Sequence, residues 1–161
     1  IAIQASLTGH LVLSTLHTND SAGAVTRLVD MGVEPFLVAA TLEGVLAQRL
    51  LRTICKSCRA PYEPSLHVLN QLNLSVEDIG GKHFHTGSGC SVCGGSGYKG
   101  RKGIYELLDV TDPIRELITG RAPSLVLRQK AIELGMVTLR EDGLRSIYDG
   151  VTTIEEVLKY T

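Results

Sequence analysis

Cys55-Lys-Ser-Cys58 and Cys90-Ser-Val-Cys93 are two Cys-x-x-Cys pairs, and they use all four cysteines of the chain. Two intervening residues let both sulfurs of a pair turn toward one ion at about 2.3 Å, and two such knuckles complete a tetrahedral four-thiolate shell. The spacing therefore predicts a structural zinc site with Cys55, Cys58, Cys90 and Cys93 as ligands. Four thiolates leave no open coordination position, so this metal is expected to do no chemistry of its own. The alternatives are a pair of disulfides or four unrelated thiols; disulfides belong to oxidising compartments, and no other feature suggests secretion. His67, His83 and His85 lie in the same stretch and are read as solvated loop residues, with His83 or His85 a substitute only if a thiol were displaced.

The second Cys pair runs into Gly94-Gly-Ser-Gly-Tyr-Lys-Gly-Arg-Lys-Gly103. Gly95 and Gly100 have the spacing of the phosphate-binding pattern G-x-x-x-x-G-K-[ST], but Arg101 stands at the Lys position and Lys102 at the Ser/Thr position. No apolar strand precedes the loop, so it is not expected to cradle a phosphate.

Elements able to hold these groups can be read around them. The 161 residues suffice for one domain with a core or for two small units. Lys and Arg number two against four Asp and Glu over residues 1–51, seven against three over 52–102, and seven against ten over 103–161. The cysteine region is thus a basic island. The nearly apolar run from Pro35 to Ala47 is too short to span a bilayer, and no stretch reads as a transmembrane segment or a signal peptide.

Ile1–Thr8 reads as the interior of an element, which leads us to expect a piece of a longer chain. Leu11–Leu16 predicts a buried strand. Asn19 or Asp20 is placed to cap a helix whose face carries Ala24, Val25, Leu28 and Val29 and which Gly32 stops. Pro35 opens a second helix, apolar nearly all round and expected to be buried. Strand, helix, helix is the order of part of an α/β sheet, where ligands sit beyond the strand ends, and this makes the His17 cluster a candidate site by position.

Residues 52–103 lose periodicity and read as an inserted loop-rich module, with an excursion of its own over roughly 65–82. Ile104–Leu108 predicts a strand. Asp112-Pro113 predicts a cap with Pro at the first helical position, and Ile114, Leu117 and Ile118 line the helix that Gly120 ends. Leu127, Ala131 and Leu134 share a face before Gly135, and Thr138-Leu-Arg-Glu141 and Thr153-Ile-Glu-Glu156 both spell capping boxes.

Leu7-Thr-Gly-His-Leu-Val-Leu-Ser-Thr-Leu-His-Thr-Asn-Asp20 resembles the histidine box of the hexameric secretion and pilus-extension ATPases, which drive type II secretion and type IV pilus assembly. The tetracysteine insertion, Gly97-Tyr-Lys-Gly-Arg-Lys-Gly-Ile-Tyr-Glu-Leu-Leu108 and Gly150-Val-Thr-Thr-Ile-Glu-Glu-Val-Leu158 are similar to the same group, in the same order. The resemblance implies an α/β fold: the C-terminal part of a RecA-like core over 1–51, a zinc module over 52–103, and a strand with a small helical subdomain over 104–161. It implies His17 facing the γ-phosphate region as a catalytic residue and Arg101 lying against the nucleotide. Thr15 and Asn19 are lesser candidates, and His10 is expected to be structural. ATP and Mg²⁺ are the implied cofactors, beside the zinc. The implied partners are five further copies in a homo-hexamer and inner-membrane platform proteins; nucleic acid is not among them. A cytoplasmic location peripheral to the inner membrane follows. The family's Walker A and Walker B residues are expected before Ile1, so residues 1–161 alone are expected to be inactive.

Two other functions fit single features. A zinc-ribbon nucleic-acid binder would use the basic island, but that island offers only Tyr62, Phe84 and Tyr98 for stacking. A chaperone-type zinc module shares Cys-x-x-Cys-x-Gly-x-Gly at Cys90–Gly97, yet Cys55-Lys-Ser-Cys58 is followed by Arg-Ala-Pro-Tyr, so the motif occurs once.

Overall fold

The computed structural model describes residues 1–72, 74–75 and 79–161. Residue 73 and residues 76–78, within the expected excursion over 65–82, lie outside the described residues. Helices and strands are mixed, in the order α1 (Ala2–Leu7), α2 (Ser21–Asp30), α3 (Pro35–Thr41), β1 (Gly44–Ile54), β2 (Arg59–Tyr62), α4 (Leu66–Gln71), β3 (Phe84–Gly87), β4 (Tyr98–Asp109), α5 (Asp112–Thr119), α6 (Ser124–Glu133), α7 (Leu139–Tyr148) and α8 (Ile154–Tyr160). Strands β1 and β4 pair with each other, and β2 pairs with β3. The chain divides into two compact units. The first comprises Ile1–Gln48 with Tyr105–Thr138, the second Arg49–Ile104 with Leu139–Thr161.

The first unit is built on helical stripes. Ala22 and Val25 of α2, Ile114 and Ile118 of α5, and Leu127 and Ala131 of α6 recur at i, i+3 or i, i+4, so each pair lies on one face, and the adjacent Val38 and Ala39 of α3 are buried with them. They close a core together with Leu108 and Val110. Helix α2 starts as expected: Asp20 accepts a hydrogen bond from the Gly23 N–H at 2.6 Å, which satisfies one of the unpaired donors of the first turn. Gly32 follows its end with φ +90°. Helix α5 begins one residue earlier than expected, with Thr111 at the N-cap and Asp112 already helical.

Two expectations for this unit fail. Leu11–Leu16 is not a buried strand: it has no regular structure, and Leu11 and Leu13 are 85% and 89% exposed. Neither sheet includes it, and without a ladder partner an apolar β-branched run has nothing to fix it as a strand. The apolar run from Pro35 does not form one buried helix either. It is helical only to Thr41, Phe36 faces solvent, and Gly44 opens β1. Leu, Ala, Gln and Arg beyond Glu43 are good helix formers, so it is the pairing of β1 with β4 that holds the segment extended.

In the second unit, Leu51, Ile54, Leu69, Phe84, Ile104, Ile147, Ile154 and Val157 are buried. The Phe84 and Tyr148 rings lie 6.0 Å apart and tilted. Helix α7 packs on α8, and Gly143 allows it: a Cβ there would meet the Val157 side chain at 2.7 Å. Thr153 caps α8 by accepting from the Glu156 N–H at 3.3 Å. The reciprocal half of the expected capping box is diverted, because the Glu156 side chain is engaged elsewhere.

Candidate functional site

The four cysteines lie at one end of a short antiparallel ladder. Arg59 pairs with Gly87 and Tyr62 with Phe84, so Cys58, just before β2, and Cys90, three residues after β3, leave the ladder at the same end. Each pair is a knuckle closed by its own backbone. The Cys58 N–H donates to the Cys55 carbonyl at 3.2 Å, and the Cys93 and Gly95 N–H groups donate to the Cys90 carbonyl at 3.3 and 2.9 Å. Ser88 donates its N–H (3.0 Å) and its hydroxyl (3.1 Å) to the Cys58 carbonyl, and the Cys55 N–H donates to the Gly97 carbonyl at 2.9 Å. Gly97, at φ +76°, brings its backbone against that of Gly87, where a Cβ on either residue would collide with the other's carbonyl.

The sulfurs converge. Cys55 Sγ lies 3.9 Å from Cys90 Sγ, Cys58 Sγ 3.8 Å from Cys93 Sγ, and Cys90 Sγ 3.7 Å from Cys93 Sγ. All four Sγ atoms lie within 4.8 Å of one another. A tetrahedron with metal–sulfur bonds of about 2.3 Å has edges of about 3.8 Å, whereas a disulfide would need about 2.05 Å. All four cysteines are free thiols. The donor set and its spacing therefore fit a four-thiolate zinc ion, with Cys55 buried and the other three half-buried.

The surroundings favour thiolate at one sulfur in particular. Cys93 Sγ accepts N–H hydrogen bonds from Cys90 at 3.2 Å and from Gly97 at 3.3 Å. Burial alone pushes this thiol up, but those backbone donors and the Cys90 and Cys58 thiols outweigh it and bring it down to about 6. Burial pushes the Cys58 thiol up to about 11, against one backbone N–H from Gly89 and with the neighbouring thiols adding to the rise. A bound divalent cation would deprotonate the whole set and remove that contrast.

Beside the knuckles, Arg52 clasps α8 to β1. Its Nε and a terminal nitrogen donate to Glu156 Oε1 at 3.0 and 2.6 Å, and its backbone N–H donates to Oε2 at 3.0 Å. Glu156 is 2% exposed and the Arg52 side chain 52%. The guanidinium carbon stands 4.1 Å over the Tyr98 ring, a cation–π geometry, and Tyr98 Oη lies 2.9 Å from Thr153 Oγ1. The Thr152 hydroxyl donates to the Arg52 carbonyl at 2.8 Å, and the Ile54 N–H donates to the Val151 carbonyl at 2.8 Å.

The other expected site residues are placed as follows. His17 is exposed, in the segment without regular structure that leads into α2; Thr15 and Asn19 flank it in sequence and are exposed too. His10, also exposed, sits with Nδ1 3.0 Å from Thr8 Oγ1. Arg101 is exposed on β4, in the other unit from His17. The loop from Gly95 leads into a strand, not into the helix that a phosphate cradle requires, which agrees with its rejection on residue type. His85 contacts Arg59 at 3.1 Å, and burial followed by the Arg59 and His83 charges lowers its proton affinity. His67 contacts Gln71. Sequence reading missed the Arg52–Glu156 pair and, in the other unit, the buried Glu106. Glu106 carried a legible signal: in Ile104-Tyr-Glu-Leu-Leu108 the strand period places it on the face of Ile104 and Leu108.

Residues 1–159 match the sequence family described as type II/IV secretion system protein. The chain is 51% identical over its whole length to a type IV pilus assembly ATPase PilB of Thermus thermophilus, of which it covers 18%. It is 48% identical to a type II secretion system protein E of Pseudomonas aeruginosa, covering 32%, and 47% identical to a type II secretion system ATPase E of Vibrio cholerae, covering 31%. The chain thus spans between about a fifth and a third of the length of these relatives.

Proposed function

The chain belongs to the family of type II/IV secretion system proteins, and we propose that residues 1–161 are the C-terminal part of an ATPase that couples ATP hydrolysis to protein secretion or pilus assembly. The observation that carries this reading is the match of the entire chain to relatives named as secretion or pilus assembly ATPases. In it, Ile1–Leu51 complete a RecA-like core, the cysteine module is held by zinc, and the last residues form a small helical subdomain. The working protein is a homo-hexamer, located in the cytoplasm and peripheral to the inner membrane through platform proteins. No helix among the described residues is long and apolar enough to cross a membrane.

Hydrolysis requires a phosphate cradle, carboxylates that hold Mg²⁺ and a group that orients the attacking water. Bound Mg-ATP supplies the scissile bond and the cation that spreads the developing charge. Residues 1–161 contain no phosphate loop, so in this reading the cradle and the Mg²⁺ ligands belong to other residues of the full-length protein. His17 supplies a ring nitrogen toward the γ-phosphate, and Arg101 supplies a cation at the rim of the nucleotide. The zinc module, closed to chemistry, presents a basic docking surface to an acidic segment of the membrane platform, where complementary charge speeds encounter.

Full-length protein tests each part. It is expected to hydrolyse ATP, with turnover reduced by His17→Ala, while Cys90→Ser abolishes secretion or piliation more completely than basal turnover. Residues 1–161 alone are expected to show no turnover, and a micromolar Kd for Mg-ATP in calorimetry would contradict the assignment. Secretion left intact by Cys90→Ser at normal protein levels would remove the docking role.

A further inference from the structure

Helices α7 and α8 have ten and seven residues, shorter than the roughly 12–15 at which an isolated helix begins to hold in water. Packing must keep them folded, and part of it is mutual, where Gly143 meets Val157. The rest involves the residues that carry the cysteines. Val151, between the two helices, accepts the N–H of Ile54, the last residue of β1 before Cys55, at 2.8 Å. Thr152 and Glu156 hold Arg52 of the same strand by its carbonyl, its N–H and its guanidinium. Cys55 itself is buried and donates its N–H to the Gly97 carbonyl, while the Gly97 N–H donates to Cys93 Sγ at 3.3 Å. Tyr98, joined to Gly97, sets its hydroxyl 2.9 Å from Thr153 Oγ1.

The β2–β3 ladder makes a second set of contacts with the same helices. Gly150, at φ +64°, lies so close to Arg59 that a Cβ would collide with the guanidinium, and it would meet His85 Nδ1 at 2.9 Å. Phe84 of β3 packs on the Tyr148 ring, and Lys82 Nζ stands 4.0 Å over that ring. In a loop-rich module of this kind, metal-binding energy is folding energy. The first unit is held differently. It has no cysteine, its core is the apolar cluster of α2, α3, α5 and α6, and its buried Glu106 accepts hydrogen bonds from the Ser21 hydroxyl at 2.5 Å and N–H at 3.1 Å.

We propose that zinc at Cys55, Cys58, Cys90 and Cys93 holds the C-terminal helices α7 and α8 in place as well as the knuckles, whereas α5 and α6, which come earlier in the sequence, stand independently of the metal. This rests on the assignment of zinc to the four cysteines. Coupling free energies are reciprocal, so whatever orders or displaces α7 and α8, a bound partner included, changes the zinc affinity by the same factor.

The test uses full-length protein. Hydrogen exchange is followed by mass spectrometry with zinc bound and after its removal by a chelator, with elemental analysis of both samples. Removal is expected to speed exchange about tenfold or more in peptides of α7 and α8, together with those of residues 52–103, and to leave α2, α5 and α6 unchanged. Unchanged protection of α7 and α8 after complete removal, or an equal loss in α2, α5 and α6, would overturn the proposal. Should the protein aggregate without zinc, the coupling is read from the other side. Glu156→Gln, which removes the charge facing Arg52 and none of the ligands, is expected to raise the zinc Kd about fivefold or more in competition with a chromogenic chelator. Asp20→Ala, which removes a cap in the first unit, is expected to leave that Kd as in wild type. An unchanged Kd in Glu156→Gln, or an equal rise in Asp20→Ala, would again overturn the proposal. If protein from metal-replete expression contains no zinc, the zinc assignment itself falls and this role with it, a result distinct from zinc that is held while the helices do not respond to its loss.

Discussion

Replacing Arg52 by Met removes the guanidinium from Glu156 and keeps an unbranched side chain over Tyr98. Glu156 then loses two charge-assisted hydrogen bonds, at 2.6 and 3.0 Å, and keeps only the Arg52 backbone N–H. Each such bond contributes about 1.5–3 kcal/mol when well buried, but the Arg52 end is 52% exposed, and solvent screening takes the pair toward the lower figure. The stranded carboxylate also has an escape. Taking up a proton at pH 7 costs an ordinary Glu about 3.7 kcal/mol, which bounds the penalty from above. Together these give a loss of about 2–3 kcal/mol, including about 0.5 kcal/mol for the lost cation–π contact.

The pH dependence fixes the mechanism. Burial pushes the Glu156 carboxyl up, but the Arg52 side chain and N–H outweigh it and hold it below its usual range. A carboxyl lowered in the folded state contributes stability that is complete above the unfolded-state pKa and is lost as pH falls through the folded one. In Arg52→Met only the burial effect and one N–H remain, so acidification should relieve the stranded charge. Urea unfolding of both proteins from pH 7 to pH 4 should show the difference greatest at pH 7 and shrinking on acidification. A loss under about 1 kcal/mol at pH 7, or a difference that grows toward pH 4, would refute the reasoning.

Two further substitutions probe how the elements are held. Gly97→Ala forces a left-handed backbone on a residue with a Cβ, at about 1–2 kcal/mol, and drives that Cβ into the Gly87 backbone; faster loss of zinc to a chelator than in wild type is expected, and an unchanged rate would show that the close approach is dispensable. Asp20→Ala removes the α2 cap and should cost about 1 kcal/mol in denaturant unfolding, whereas Asp20→Asn, which keeps the acceptor oxygen, should cost much less.

The cysteine cluster was the most legible feature of this sequence, because a Cys-x-x-Cys knuckle is a local geometry and the same spacing produces it in many contexts. Asp20 as a cap and Gly32 as a stop were equally local. What escaped depends on partners distant in sequence. Leu11–Leu16 has the composition of a strand, but a strand exists only where a ladder receives it. The run from Pro35 to Ala47 gave no sign that it would change from helix to strand at Gly44. Thr153-Ile-Glu-Glu156 does cap α8, but Glu156 turns to Arg52, more than a hundred residues earlier, where a charged donor offers more than the backbone N–H that the local motif would supply. Glu106 could have been found from the strand period, since a carboxylate on an apolar face requires a donor; which donor, Ser21 of α2, only the tertiary structure supplies.

The identity and shell of the metal test the account most directly. After metal-replete expression, elemental analysis combined with X-ray absorption at the zinc edge should find about one zinc per chain with four sulfur neighbours at about 2.3 Å, and Cys90→Ser should lose either the metal or one of those sulfurs. Zinc below a few tenths per chain, or a shell containing nitrogen in place of sulfur, would contradict it.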